Sequence, residues 1–398
     1  MIKSMNKLYY TLIFTLIVLL TFGCAEEDGD RTAADAETVD WETKELNTQY
    51  HTIKVTKLAD GLERPWAVAF LPDGRKLVTE RPGRLNVVED GQVTEITGLP
   101  EIHAVGQGGL LDVSLHPDFN ENGWIYITYS QVNDEEQTAL TLTRGQLQNN
   151  EFVNVEELFV QNRFSSPGRH YGSKIAWDED GLLYVSVGDR GAEPPRAQDN
   201  SDHAGTLLRL NDDGTAADGN PFLDDPDKAD EIFSYGHRNI QGLIIHPETG
   251  EIWATEHGPR GGDELNFVEM GKDYGWPTVS LGFAYGDDRE FHNHTEARSA
   301  EGMVDPIYEF LPTHAPSGLA LVTSNHFPQW TGNLIAGGLR SERIRRLVID
   351  DYEVMHDEEL LLGEVGRIRD VREGPDGFIY VVTDEDPGAI YVVEPAEE

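Results

Sequence analysis

Six times along this chain a glycine-bearing turn is followed by an apolar, aromatic-rich run. The turns are Leu71-Pro72-Asp73-Gly74, His116-Pro117-Asp118 through Gly123, Asp178-Glu179-Asp180-Gly181, His246-Pro247-Glu248-Thr249-Gly250, Phe327-Pro328 through Gly332, and Gly374-Pro375-Asp376-Gly377. Behind them come runs such as Lys76-Leu77-Val78-Thr79, Trp124-Ile125-Tyr126-Ile127, Leu182-Leu183-Tyr184-Val185, Ile252-Trp253, Leu334-Ile335-Ala336 and Phe378-Ile379-Tyr380-Val381. Proline and glycine reverse the chain, and the β-branched and aromatic residues then favour a strand. The turn glycines are spaced from 45 residues (Gly332 to Gly377) to 82 (Gly250 to Gly332). A four-stranded propeller blade takes roughly 40–50 residues, so the longer intervals are blades with insertions. Helical periodicity is scarce. The pattern predicts an all-β chain folded as a six-bladed β-propeller. An N-terminal strand over residues 51–58 is placed beside Ile390-Tyr391-Val392-Val393, closing the ring. His116 and His246 open turns of the repeat and are read as structural.

The part of the chain before the repeats reads differently. Lys3 and Lys7 precede an uncharged, mainly apolar run from Leu8 to Phe22 that ends at Gly23-Cys24, and Cys24 is the only cysteine. The run is shorter than the ~20 residues a spanning helix needs, so residues 1–23 are read as an export signal. The junction resembles a bacterial lipoprotein signal, which makes Cys24 the lipid attachment point. Residues 24–48, rich in Ala, Asp, Glu and Thr, read as an acidic disordered tether, and residues 49–398 as the propeller domain. The expected location is exported, in the periplasm or cell envelope, with a membrane link only through Cys24. The 398 residues carry 72 acids against 31 bases, a formal net charge of −41. Such a surface repels nucleic acid and anionic membranes. A site for an anion must therefore be a local cluster of bases.

Propellers gather their functional loops at one mouth of the central channel, and several loops here have unusual residues. The longest is Glu256-His257-Gly258-Pro259-Arg260-Gly261-Gly262-Asp263-Glu264, continuing through Asp273-Tyr274-Gly275-Trp276-Pro277. Its glycines and proline exclude a helix or a central strand. Its carboxylates and free carbonyls are what a hard cation such as Ca²⁺ takes as ligands. Other loops are Val105-Gly106-Gln107-Gly108, Arg169-His170-Tyr171-Gly172 with Gly188-Asp189-Arg190, Gly236-His237-Arg238-Asn239, Gly338-Leu339-Arg340, and Gly366-Arg367-Ile368-Arg369. Arg367 and Arg369 alternate with Ile368, which on a strand puts both guanidinium groups on one face. Their partner is either a bound carboxylate or phosphate, or the protein's own acids. His170 is a candidate general base, with Asp189 placed to orient it. The polar segment Asp199-Asn200-Ser201-Asp202-His203 has no assigned role.

Together these motifs resemble the quinoprotein sugar dehydrogenases that use pyrroloquinoline quinone (PQQ), in particular their aldose sugar dehydrogenase branch. The resemblance spans residues 58–393 and is most specific over 256–276, Gly236-His237-Arg238-Asn239 and Arg367-Ile368-Arg369-Asp370-Val371. It implies oxidation of an aldose at the anomeric carbon to a lactone, with hydride passed to PQQ and then to an unidentified electron acceptor. It makes His170 the base and Asp189 its orienting partner. It sets Gln107, Arg238, Asn239, Tyr285, Arg340, Arg367 and Arg369 around PQQ, with Gly338, Leu339 and Ile368 beside them. It gives the carbonyls of Gly258 and Pro259 to the Ca²⁺ on PQQ, and Glu264 and Tyr274 to a second, structural Ca²⁺. Arg340 stands where soluble glucose dehydrogenase has lysine, a planar fork in place of a point donor. Two other classes use similar propellers: non-catalytic extracellular binding proteins and Ca²⁺-dependent lactonases. A lactonase needs metal-bound water but no arginine cluster.

Overall fold

In a computed structural model of the chain, which describes residues 43–283 and 297–396, each repeat turn joins the first two strands of one antiparallel sheet. There are six such sheets, arranged as a β-propeller. Blade 1 runs Pro65–Phe70, Lys76–Glu80, Arg84–Glu89 and Gln92–Ile96. The innermost strands of blades 2 to 6 are Leu110–Leu115, Ile175–Trp177, Ile240–Ile245, Pro316–Leu321 and Ile368–Glu373. The expected closure is present. Strand Thr52–Leu62 joins blade 6 against Gly388–Pro395, with Val55 opposite Val393 and Lys57 opposite Tyr391.

One boundary differs from the expectation. Residues 43–47, assigned to the tether on composition, form a fifth strand of blade 6, Thr43–Asn47, paired on Thr52–Leu62. Its alternation of exposed and half-buried residues is weak because it covers the edge of a sheet rather than a core. Five residues of polar composition are enough there, since backbone pairing supplies the contact. The rest of the tether, the signal segment, Cys24 and Tyr285 lie outside the described residues.

Apolar side chains fill the seams between neighbouring blades. Leu77 and Ala67 meet Leu110, Val113 and Ile125 between blades 1 and 2. Tyr184, Leu207 and Phe233 meet Ile240, Leu243 and Ile252 between blades 3 and 4. Val68 and Val78 meet Val382 and Ile390 where blade 6 meets blade 1. Each fully buried aliphatic contributes about 1.5–3 kcal/mol, so the seams hold the ring together.

The channel is filled differently. Asp112 of blade 2, Lys174 at the start of blade 3, and Asp370 and Arg372 of blade 6 form one ionic cluster. Lys174 Nζ lies 2.7 Å from Asp370 Oδ1 and 3.9 Å from Asp112 Oδ1. Arg372 Nε donates to Asp370 Oδ2 at 2.8 Å, and its Nη2 pairs with Asp112. The backbone N–H of Ile175 donates to Asp112 Oδ2 at 2.9 Å, and that of Val68 to Asp370 Oδ2 at 3.4 Å. The four charges cancel. Burial alone would raise the Asp370 carboxyl, but Arg372 and Lys174 hold it below its ordinary value.

Removing one member of a buried, hydrogen-bonded set strands its partners. Lys174→Met is expected to lower the unfolding free energy by about 3–5 kcal/mol, read by urea denaturation. Adding Asp370→Asn should restore part of that loss, because the two sites are in contact. Since the folded-state Asp370 is depressed, its stabilisation is present above the ordinary carboxylate range and is lost as pH falls through the folded value. A Lys174→Met loss of only about 0.5 kcal/mol, as for a surface change, would show that the cluster does not carry the channel.

Candidate active site

Each inner strand starts at one end of the channel and the second strand of its blade returns there. Two short segments per blade therefore meet at that mouth. Those preceding inner strands bring Gln107, His170, Arg238, Asn239 and Arg367; those following second strands bring Arg81, Asp189, His257, Arg340 and Asp384. Between them lies a cavity of about 240 Å³, lined in part by Gln107, Asn239, Leu339, Arg340, Arg367 and Arg369. Trp66, Arg81, His257 and Asp384 also belong to its wall.

Of the expected cofactor residues, Arg238 stays out of this lining and walls the smaller space described below, and Ile368 and Gly338 stay out of it too. Ile368 is fully buried in the apolar seam of blades 5 and 6. Gly338 packs behind the wall, where an added Cβ would lie 2.2 Å from Ser341 Oγ and 2.3 Å from the His314 ring. Both are read from the sequence as neighbours of the arginines, and both serve as the backing that holds them.

The cavity is strongly cationic. Arg367 Nη2 and Arg369 Nη2 lie 2.9 and 3.0 Å from the same oxygen, Asp384 Oδ2. The two arginines thus do share a face and use one of the protein's own acids. One carboxylate cannot satisfy two guanidinium groups, and Arg369 Nε has no hydrogen-bond partner among the described residues. Arg81 is pushed below its ordinary pKa by burial, and Arg64, Arg369 and Arg367 add to the effect against Asp384. That is the signature of surplus positive charge in a partly dry space.

His170 sits beside this cavity. Its backbone N–H donates to Gln107 Oε1 at 2.9 Å, and its φ of 50° turns the chain so that the ring faces Asp189. Nδ1 lies 2.6 Å from Asp189 Oδ1, with the imidazole 13% exposed and Asp189 1% exposed. Asp189 Oδ1 also accepts from the Gly191 N–H at 2.8 Å, and Oδ2 accepts from the Trp276 indole at 2.7 Å. These loops approach closely because residue 188 is glycine: a Cβ there would lie 2.1 Å from the His170 carbonyl oxygen. Arg238 Nη2 is 3.5 Å from His170 Nε2, and Arg238 Nη1 donates to the His257 carbonyl at 3.0 Å. Burial and Arg238 lower the His170 pKa, against the pull of Asp189. For Asp189 burial acts upward, but His170, Arg238 and Trp276 hold it below its ordinary value. At neutral pH the pair is a neutral imidazole on an ionised carboxylate. Nδ1 carries the proton toward Asp189, leaving the Nε2 lone pair as the acceptor.

The glycine-rich loop after Glu256 forms a second, smaller space of about 10 Å³, walled by Gly258, Pro259, Glu264 and Tyr274 among others. The carbonyls crowd together. A Cβ on Gly258 would lie 2.2 Å from the carbonyl oxygens of both Gly261 and Gly262, and one on Gly282 would lie 2.2 Å from that of Pro259. The Pro259 carbonyl accepts from Phe283 N–H at 2.7 Å. Glu256 and Glu264 are directly opposite on paired strands. Glu256 is engaged by Arg238 N–H at 2.6 Å and Asn266 Nδ2 at 2.9 Å. Glu264 is pushed well above its ordinary pKa, first by burial, then by Glu256. The Tyr274 hydroxyl is committed elsewhere, donating to Phe267 O at 2.7 Å and accepting from Glu269 N–H at 2.8 Å. A ligand from Tyr274 would be its carbonyl, not its phenol. No cluster of three or more His, Cys, Asp or Glu side chains able to hold a metal occurs among the described residues. Any ion here must be held largely by carbonyls.

Four residues had no role in the sequence reading: Arg81, His257, Asp384 and Trp276, of which His257 and Trp276 lie in the glycine-rich loop it singled out. The first three share one signal, their place just after the second strand of a blade, the position Asp189 and Arg340 also occupy. The segment 199–203 is structural. Asp202 grips Arg196 at 2.6 and 3.0 Å, and His203 pairs with Glu231 at 3.1 Å.

The glucose/sorbosone dehydrogenase family model matches residues 62–392. The chain is 37% identical to the aldose sugar dehydrogenase YliI of Escherichia coli, over 86% of this chain and 93% of that one. It is 28% identical to the quinoprotein glucose dehydrogenase B of Acinetobacter calcoaceticus, over 82% and 84% of the two chains. The PQQ-bound aldose sugar dehydrogenase of Streptomyces coelicolor superposes with a TM-score of 0.71 at 28% identity, covering 88% of this chain and 99% of that one. A six-bladed propeller with an arginine-lined mouth, matched over this length, makes the chain a member of the glucose/sorbosone dehydrogenase family.

Proposed function

We propose that this chain oxidises aldoses at the anomeric carbon to lactones in a PQQ- and Ca²⁺-dependent reaction, with His170 as the general base. Its family makes it a sugar dehydrogenase of the PQQ-dependent class. The finer reading rests on one observation: an imidazole held through Nδ1 at 2.6 Å from Asp189, beside a cavity with excess guanidinium charge. His170 Nε2 takes the proton of the C1 hydroxyl, and Asp189 stabilises the imidazolium that forms. Arg238, next to Nε2, disfavours a permanently charged ring and so keeps the base ready.

When bound, PQQ supplies the hydride acceptor and Ca²⁺ polarises its reacting carbonyl. The donor set suits that cofactor. Arg340, Arg367, Arg369 and Arg81 offer forked donors to its carboxylates. Trp66 and Leu339 offer apolar faces to its rings. The carbonyls of Gly258 and Pro259 would hold the Ca²⁺ on PQQ. Glu264, with the Tyr274 carbonyl, would hold a second Ca²⁺, which relieves the repulsion from Glu256. The same reading takes residues 1–23 as an export signal and Cys24 as a lipid attachment point, on the strength of Lys3, Lys7 and the apolar run.

His170→Gln is expected to bind PQQ normally and lose sugar-dependent dye reduction by ~10²–10⁴-fold. Equal turnover would move the base elsewhere. Binding of PQQ by wild type without reduction by any aldose would leave a binding protein. The acid limb of kcat/KM should lie below the ordinary histidine value of 6.5, because the folded pKa is lowered. Activity is then retained down to that pH and lost as the ring protonates. A limb above 6.5 would contradict the neutral, desolvated base.

Arg369→Ala removes a charge-assisted contact worth about 1.5–3 kcal/mol. PQQ affinity, read by absorbance titration, should fall about one to two decades. Unchanged affinity would place the carboxylates elsewhere. Glu264→Gln should lower the melting temperature in Ca²⁺ more than in chelator. Equal shifts would make Glu264 a cation-independent residue.

A further inference from the structure

We infer that Trp276 is a positioning residue for proton transfer: its indole N–H fixes the free oxygen of Asp189 while its ring seats the Arg238 guanidinium beside His170. This deepens the proposed function and rests on His170 being the base. Trp276 is 5% exposed and comes from the glycine-rich segment of blade 4, far in sequence from blade 3. Its own backbone is pinned, with N–H donating to Gly236 O at 2.8 Å and O accepting from Gln198 Nε2 at 3.0 Å. Asp189 Oδ1 already receives His170 Nδ1 and the Gly191 N–H. Asp189 Oδ2 receives one donor among the described residues, Trp276 Nε1 at 2.7 Å. With both oxygens engaged, the carboxylate cannot turn about its Cβ–Cγ bond, so the imidazole it holds cannot turn either. The same indole lies 5.3 Å from the Arg238 guanidinium carbon. One side chain thus sets both neighbours of the base, the anion on Nδ1 and the cation near Nε2.

The charged groups around His170 are Asp189 from the end of a blade 3 strand, Arg238 from the loop entering blade 4, and Arg169 in its own loop. The Arg190 guanidinium bonds the carbonyls of Arg169 and His170 at 2.7 and 3.3 Å. Trp276→Phe changes none of these charges and keeps an aromatic face for Arg238. It removes the N–H and, with it, one ring of the buried indole. The Asp189 charge is then shared with one donor fewer, so its pull on the Nδ1 proton grows and His170 becomes easier to protonate.

The test begins with the full chain free of PQQ and Ca²⁺, labelled with ¹⁵N-histidine. In Trp276→Phe the His170 ring should titrate higher by about half a pH unit or more, the size of a partly lost hydrogen bond to a charged group. After loading with PQQ and Ca²⁺, kcat for aldose-dependent dye reduction should fall about tenfold. The sugar KM and the PQQ affinity should stay within about twofold, since neither is bound by the indole N–H. Benzothienylalanine at position 276 has the indole's shape without the donor. It should give the same shifts, and it decides the matter if the phenylalanine variant does not fold. An unchanged His170 titration, with only melting temperature or PQQ affinity reduced, would make Trp276 a packing residue and overturn the inference. If wild type oxidises no aldose, the proposed function fails, yet the His170 titration still decides whether Trp276 sets the pair.

Discussion

Four charges at the centre of the ring, three of them buried and Arg372 largely so, decide what the mouth can be. Asp112, Lys174, Asp370 and Arg372 come from three blades and neutralise one another where the inner strands converge. An apolar plug could close the channel as well, and such swaps are often neutral for stability. The ionic version also fixes the blades in angle, because each carboxylate receives backbone N–H groups from a neighbouring blade. Trp66 rests against this cluster, 4.7 Å from Lys174 Nζ, and lines the cavity above. The site thus has a floor that its loops did not have to supply.

Above that floor the charge balance reverses. The chain as a whole is strongly acidic, yet the cavity wall holds Arg81, Arg340, Arg367 and Arg369 against one lining carboxylate among the described residues, Asp384. The surplus is tolerated because Arg81, Arg340 and Arg367 keep part of their surface in solvent, while Asp384 pins Arg367 and the buried Arg369 in place. The acid surface confines the attraction to this opening. A small anion can reach this local cluster of arginines, whereas an extended polyanion meets the repulsion of the net negative charge.

The ring and much of its mouth were legible because propeller repeats carry position as well as pattern. Once the six turns are matched to blades, the loops at the opposite end follow, and with them His170, Asp189, Arg238 and Arg367. What could not be read is whatever depends on three-dimensional company. Arg367 and Arg369 left two partners open in the sequence; the structure shows Asp384 between them and an unfilled donor beside it. Ile368 and Gly338 differ from their neighbours only in the direction they face. The role of Trp276 depends on a carboxylate 87 residues away. The strand at residues 43–47 has the composition of a tether, since an edge strand needs little hydrophobicity to pair.

The closure of blade 6 also carries a consequence for how this chain comes into being. Strand Thr52–Leu62 is among the first parts of the propeller to be synthesised, and its partner Gly388–Pro395 is among the last. The ring therefore stays open until both strands have been made, and so does the arginine wall built by blade 6. Contacts of such high sequence separation form late and slowly. A propeller of this design locks only when its first and last strands meet, so its working mouth is the last part to be completed.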